Sequence, residues 1–171
     1  MPLPVEGPFA LAREHDRSDF SCRSEEQTRW LRESARRAQD ADTARVHVAT
    51  LAGTSKVGAY YALSTTTIQR ADATARLLKG VGGYPTIPGV LLSRLGVDTR
   101  IEGQGVGRFM LTEALKTTAA IAGLAGARAL VIDAEDEDAK RFYLRHAEFD
   151  EFPTEPLKLY LVMDALRAAL A

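Results

Sequence analysis

Residues Gly89 to Leu111 read GVLLSRLGVDTRIEGQGVGRFML, and this stretch decides the fold. Gly89 to Val97 is a run apolar enough for a central strand. Asp98 to Gly107 is a glycine-rich turn. A helix follows from about Val106 to Ala122, with Val106, Met110, Ala114 and Ile121 on its apolar face and Gly123 and Gly126 to stop it. The next apolar run, Ala127 to Ala134 (ARALVIDA), reads as a buried strand. Strand, helix and strand in that order form a βαβ crossover, which makes the two strands parallel and adjacent.

Gly103, Gly105 and Gly107 stand between that strand and that helix. Glycine admits positive φ and lets a ligand approach the main chain closely. The first amides of a helix lack internal partners, and the helix dipole favours an anion in front of them. A pyrophosphate is the natural guest. A Walker A loop requires Gly-Lys-Ser/Thr where this chain has Gly107-Arg108-Phe109, and the Rossmann spacing G-x-G-x-x-G does not occur over Gly103–Gly107. A helix start with merely flexible glycines is the remaining alternative.

Working outward, Phe9 to Arg13 alternates weakly and reads as a short first strand. Ser24-Glu25-Glu26-Gln27 is a capping box, which predicts a helix to about Asp40. Trp30, Leu31, Ser34, Ala35 and Ala38 share its apolar side, with Trp30 as core anchor; Arg29, Arg32, Arg36 and Arg37 lie on the other. Arg45–Leu51 and Val57–Ser64 read as a hairpin around Ala52–Lys56. Thr65 to Pro88 reads as loop, punctuated by Gly80, Gly82, Gly83, Pro85 and Pro88. The acids Glu135 to Asp138 open a helix that runs through Tyr143 to about His146. Leu157 to Met163 is a last strand, with a short C-terminal helix after it. The expected class is α+β: one domain over residues 1–171, its mixed sheet mostly antiparallel around the central βαβ crossover and flanked by helices.

The chain has 171 residues, with 22 Lys+Arg against 23 Asp+Glu, for a formal net charge of −1. That balance excludes the wholesale basic character of a protein that coats nucleic acid. One cysteine, Cys22, excludes an internal disulfide and reads as a small buried residue, which suits a reducing cytoplasm. Met1 to Phe9 lacks the basic and apolar regions of a signal peptide. No apolar run approaches the roughly 18 residues of a membrane span. His15, His47 and His146 lack ligand-like spacing, so no metal is expected.

Gly89 to Leu111 resembles the acetyl-CoA signature of the GNAT N-acetyltransferases, Gln/Arg-x-x-Gly-x-Gly/Ala. In the frame Glu102-Gly103-Gln104-Gly105-Val106-Gly107 both glycines fall in place and Glu102 takes the Gln/Arg slot. Arg100 to Gly105 satisfies the pattern formally, but the distance from the strand favours the first frame. A carboxylate beside a pyrophosphate repels it, so Glu102 is expected to point away. The resemblance implies that Gly103, Gln104, Gly105, Val106, Gly107 and Arg108 hold the pyrophosphate of acetyl-CoA. It implies that the main chain of Leu95, Gly96 and Val97 pairs with the pantothenate arm, where the strand splays from Ala127–Ala134. Phe142-Tyr143 resembles the family's Phe-Tyr element, whose tyrosine hydroxyl faces the CoA sulfur. His146-Ala147-Glu148-Phe149 keeps the phenylalanine that usually follows but lacks its glycine.

A narrower resemblance rests on Asp19-Phe20-Ser21-Cys22, Trp30-Leu31, Val57 to Ser64 and Arg94-Leu95-Gly96-Val97-Asp98. These are similar to the acetyltransferase toxins of toxin–antitoxin pairs. That similarity implies acetylation of the α-amino group of aminoacyl-tRNA, a block of translation, and neutralisation by a ribbon-helix-helix antitoxin. Assembly as a homodimer is left open.

The chemistry narrows the roles. A CoA thiol has an intrinsic pKa near the cysteine value of about 8.5, and a tyrosine near 10 stays protonated and can supply the leaving thiolate with a proton. Tyr143 is thus the expected general acid; the alternative is a core aromatic beside Phe142. No residue is marked as a base, which favours an α-amine of pKa about 7.7–8.0 over a lysine at about 10.4. Asp133 or Glu135 acting through water is one option; Glu135 to Asp138 as complement to a helix N-terminus is the other. Arg29, Arg32, Arg36 and Arg37 are a candidate RNA phosphate track, or else a solvated face partnered by Glu25, Glu26 and Glu33. Arg70, Arg76 and Lys79 pose the same choice. Transfer to a small amine or a protein N-terminus, and a non-catalytic CoA-binding module, are the competing functions.

Overall fold

The computed structural model describes residues 2–171. In chain order the elements are β1 (Val5–Ala10), α1 (Glu25–Glu33), α2 (Ala35–Asp40), β2 (Arg45–Leu51), β3 (Val57–Gln69), α3 (Ala75–Leu78), β4 (Thr86–Val97), α4 (Val106–Ala125), β5 (Ala129–Asp133), α5 (Glu137–His146), β6 (Asp150–Phe152), β7 (Glu155–Val162) and α6 (Met163–Leu170). Single 3-10 turns cover Arg70–Asp72 and Thr99–Ile101. The seven strands pair in the order β1-β2-β3-β4-β5-β7-β6. β4 and β5 are parallel, from Gly89 opposite Ala129 to Leu92 opposite Ile132, where the ladder ends. The β1–β2, β2–β3, β5–β7 and β6–β7 pairs are antiparallel. This is the mixed α+β sheet with a parallel crossover that the Gly89–Leu111 stretch predicts.

The chain divides into two compact units. The first takes residues up to Ser64 together with Ser93–Ala114, and its core gathers Leu11, Phe20, Leu31, Ala35, Val46, Val48, Val57 and Tyr60. The second takes Thr65–Leu92 and Leu115–Ala171, around Ile68, Leu77, Ile87, Ala129, Val131, Phe152, Tyr160 and Val162. Both β3 and β4 pass through both units.

Several expectations shift. The first strand is Val5–Ala10 rather than Phe9 to Arg13. It is an edge strand, where Pro8 is tolerated because no ladder amide is needed on its outer side. The predicted helix to Asp40 breaks at Ser34, whose φ of −119° leaves the helical range, and resumes as α2. Its capping box holds: Gln27 N donates to Ser24 Oγ at 3.1 Å. β3 runs on to Gln69 because Thr65, Thr66 and Thr67 are β-branched and Ile68 is buried. β6 is three residues long with two charges, too short to show a period.

Within the read-as-loop segment, α3 spans only four residues, far below the length at which a helix is stable alone. Thr74 caps its start by accepting from Leu77 N. Arg128 caps its end: Nε donates to Leu77 O at 2.9 Å, and Nη2 to Lys79 O at 2.9 Å and Arg76 O at 3.2 Å.

Candidate active site

In the first unit, β4 ends at Val97 and leads into the glycine turn. Gly96 is buried, and a Cβ there would stand 3.0 Å from Tyr60 Cε1 and 3.4 Å from Phe20 Cζ. Only glycine lets β4 lie this close to the Phe20–Tyr60 pair, whose rings meet edge-on at 5.6 Å. Beyond Val97 the chain is pinned twice, by Ile101 at 6% exposure and by Val106 at 1%. Gly103, Gln104 and Gly105 between these pins are exposed. Gly103 has φ +74° and Gly105 has φ +83°, a left-handed conformation that other residues adopt only under strain.

Phe109 N donates to Gly105 O at 3.1 Å, so Gly105 is the last residue before α4. The amides that follow it have no acceptor within the helix. A Cβ on Gly103 would meet nothing within 4 Å, and one on Gly105 only Leu3 Cδ2 at 3.8 Å. The turn is thus bare main chain at a helix N-terminus, open on its outer side. It fits an anionic diphosphate by the chemistry of its donors. Arg108, exposed on the first turn of α4, adds a cation.

Glu102 does not face an empty neighbourhood. Arg23 Nε donates to its carboxylate at 3.3 Å, and the arginine is 81% exposed. The carboxylate in the Gln/Arg slot is therefore neutralised by a guanidinium from the segment before α1.

In the second unit, Asp136 caps α5 by accepting from Ala139 N at 2.8 Å, with Glu137 and Asp138 in the first turn. These acids complement the helix N-terminus. Tyr143 is buried at 8% exposure, edge-on to Phe142 at 5.3 Å and to Phe149 at 5.9 Å. Burial pushes its phenol far above the usual tyrosine value, and the Glu135 carboxylate adds to the rise. The phenol therefore stays protonated at any physiological pH. Ala147, where a glycine was expected, is extended (φ −157°), so no left-handed residue is needed to end α5. Phe149 still reaches Tyr143.

The arginines sort into two groups. Arg29, Arg32 and Arg37 are exposed and, among the described residues, hold no carboxylate; Arg36 pairs with Asp40 at 3.4 Å, within its own helix. The expected partner Glu26 is taken by Arg94 at 2.9 Å. Arg32 lines an open polar depression of about 440 Å³ with Arg13 and Arg17. Arg70 and Arg76 are instead loop staples: Arg70 Nη1 donates to Gly82 O at 2.6 Å, and Arg76 pairs with Asp150 at 2.6 Å.

Arg94 enters the sequence reading only through the toxin resemblance; in the structure its guanidinium lies 5.3 Å over the Trp30 ring while that ring stacks at 6.0 Å on Tyr60. Trp30 is half-buried: it packs against the core as expected and also offers its ring as a platform to Arg94. Cys22 is also only half-buried, with Sγ donating to Ser24 O at 3.3 Å. His47 stacks on Tyr61 at 4.7 Å, and burial lowers its pKa. No helix among the described residues is long and apolar enough to cross a membrane.

A crossover strand that delivers an open main-chain turn to a helix N-terminus defines a GNAT N-acetyltransferase fold. AtaT, solved in complex with acetyl-methionyl-tRNAfMet, matches it with a TM-score of 0.85 at 21% identity, over 98% of this chain and 98% of that one. No protein-family model matches the chain. Over 115 residues, 67% of this chain and 68% of the relative, it is 35% identical to the tRNA-acetylating toxin of Mycobacterium tuberculosis. It is 28% identical over 162 residues to a probable toxin TacT of Sinorhizobium fredii, covering 91% of this chain and 90% of that one. The chain belongs to the family of GNAT-type tRNA-acetylating toxins.

Proposed function

We propose that this protein is the cytoplasmic toxin of a toxin–antitoxin pair, a single-domain acyltransferase that moves the acetyl group of acetyl-CoA to the α-amino group of aminoacyl-tRNA. Translation stops because the blocked amine cannot accept a peptide. A ribbon-helix-helix antitoxin is its protein partner. The observation that carries the reading is the exposed turn with Gly103 and Gly105 at positive φ in front of α4.

The roles follow from the residue chemistry. Main-chain amides over Gly103–Arg108, including those of Gln104, Val106 and Gly107, take the pyrophosphate. The backbone of Leu95, Gly96 and Val97 holds the pantothenate arm, just past the point where the β4–β5 ladder ends at Leu92. Acetyl-CoA supplies an activated carbonyl. The neutral amine forms the C–N bond as the C–S bond breaks, and Tyr143 passes its phenolic proton to the departing thiolate. The proton shed by the amine returns through water. An α-amine is already partly neutral at neutral pH, so no strong base is required. Arg29, Arg32, Arg36 and Arg37 contact tRNA phosphates, with Arg36 the weakest because Asp40 holds it.

Incubation with labelled acetyl-CoA and a mixed pool of charged tRNA tests this. The expected product is an N-acetylaminoacyl adenosine after nuclease digestion. Label on lysine or small amines with none on charged tRNA overturns it.

A further inference from the structure

Asp98 is 1% exposed, yet its carboxylate gathers four donors. Arg100 reaches it through Nε at 2.8 Å, Nη2 at 2.8 Å and its own backbone N at 2.9 Å, and Ser21 N reaches it at 3.1 Å. The contact with the 19–22 segment is reciprocal, since Thr99 N donates to Ser21 O at 2.9 Å. Asp98 N donates to Gly58 O at 2.8 Å, which ties the same residue to β3. Arg100 also faces Asp19 at 3.4 Å, and Asp19 holds Lys56 at 3.0 Å. The buried carboxylate thus joins the 98–100 segment to the 19–22 segment at the root of the glycine turn, and the backbone N of the same residue ties them to β3.

Nothing in the turn itself is so constrained. Gly103 to Gly105 are exposed, and a Cβ on Gly103 would meet nothing within 4 Å. A bidentate Arg–carboxylate pair is among the more rigid polar contacts available, and a buried carboxylate stripped of a donor is costly. We propose that Asp98, with Arg100 as its fork, is the positioning residue that preorganises the main-chain turn for the diphosphate, so that it governs donor affinity rather than the chemical step. The inference rests on the reading of Gly103–Arg108 as the donor site. Preorganised donors lose less on binding than donors that must be ordered first. Ser21 stands three residues before the Ser24 cap, so the same anchor fixes where α1 begins.

The test is calorimetry with CoA together with donor KM, kcat and Tm. Asp98→Asn keeps the size and removes the charge; the expected result is a Kd and donor KM raised about tenfold, with kcat at saturating donor reduced less than threefold. If Asp98→Asn fails to fold, Arg100→Gln serves, since that arginine is 43% exposed; a Kd raised about fivefold is expected. Arg100→Lys keeps the charge without the fork and should restore only part of the affinity. A Kd within twofold of wild type in Arg100→Gln, or a fall in Tm and kcat with donor KM unmoved, overturns the proposal. Failure of the underlying reading looks different: the wild-type protein itself gives no heat with CoA.

Discussion

The first unit fixes its functional group with charges, the second with burial. Around the glycine turn, Asp98 and Arg100 are paired at the root and Glu102 and Arg23 at the rim, while the turn stays exposed main chain. Around Tyr143 the neighbours are Phe142 and Phe149, and one turn earlier on the helix Lys140 meets Glu151 of β6 at 2.6 Å. The difference matches the tasks proposed for each. A diphosphate is gripped by donors that must be aimed but need not be dry. A phenol that must stay protonated beside a thiolate is best kept out of water, where its own ionisation is disfavoured.

Removing the phenol alone puts this contrast to its strongest test. Tyr143→Phe keeps the buried ring and should lower kcat about a hundredfold or more, as expected for loss of a general acid, with CoA Kd within twofold; a parallel loss of both would make Tyr143 a packing residue. The same burial predicts that the wild-type rate shows no falling limb near pH 10, because the phenol titrates above its ordinary value. The sign for stability is fixed as well. A raised folded pKa gives stability that is complete below about pH 10 and fades as pH climbs toward the folded value.

Next in size, Gly105→Ala places a side chain at φ +83°. The strain of about 1–2 kcal/mol should weaken CoA binding roughly five- to thirtyfold and leave kcat at saturation nearly unchanged, as titration and kinetics together will read. Smallest is Glu102→Gln. Its partner Arg23 is exposed, and exposed ion pairs contribute about 0–1 kcal/mol, so donor Kd should move less than threefold. A larger change would make the rim pair part of the grip.

In both units, what is legible in the sequence is what lies contiguously along the chain. The crossover and its turn were readable because Gly89–Val97, the glycines and Ala127–Ala134 are contiguous patterns, with apolar runs and turn residues in sequence order. The α5 cap was readable for the same reason. The Asp98 anchor was not, since its donors Ser21 and Arg100 and its neighbour Gly58 come from three stretches of chain that no local period joins. Nor was the fate of the arginines. Arg94, Arg70, Arg76 and Arg128 look alike in sequence to Arg29 and Arg32, yet the first four are committed to a ring, a carboxylate or carbonyls. Charge says where a side chain is soluble; only the fold says what it holds.

Arg128 bears on the lifetime of the molecule. Its guanidinium collects three carbonyls at the end of a helix too short to persist alone. Arg70, Arg76 and Lys79 all lie in that neighbourhood, so each is a cleavage point for a trypsin-like protease once the backbone lifts. Arg128, the residue just ahead of β5, thus closes a segment that limited trypsin digestion should cut sooner once Arg128→Ala removes those three contacts.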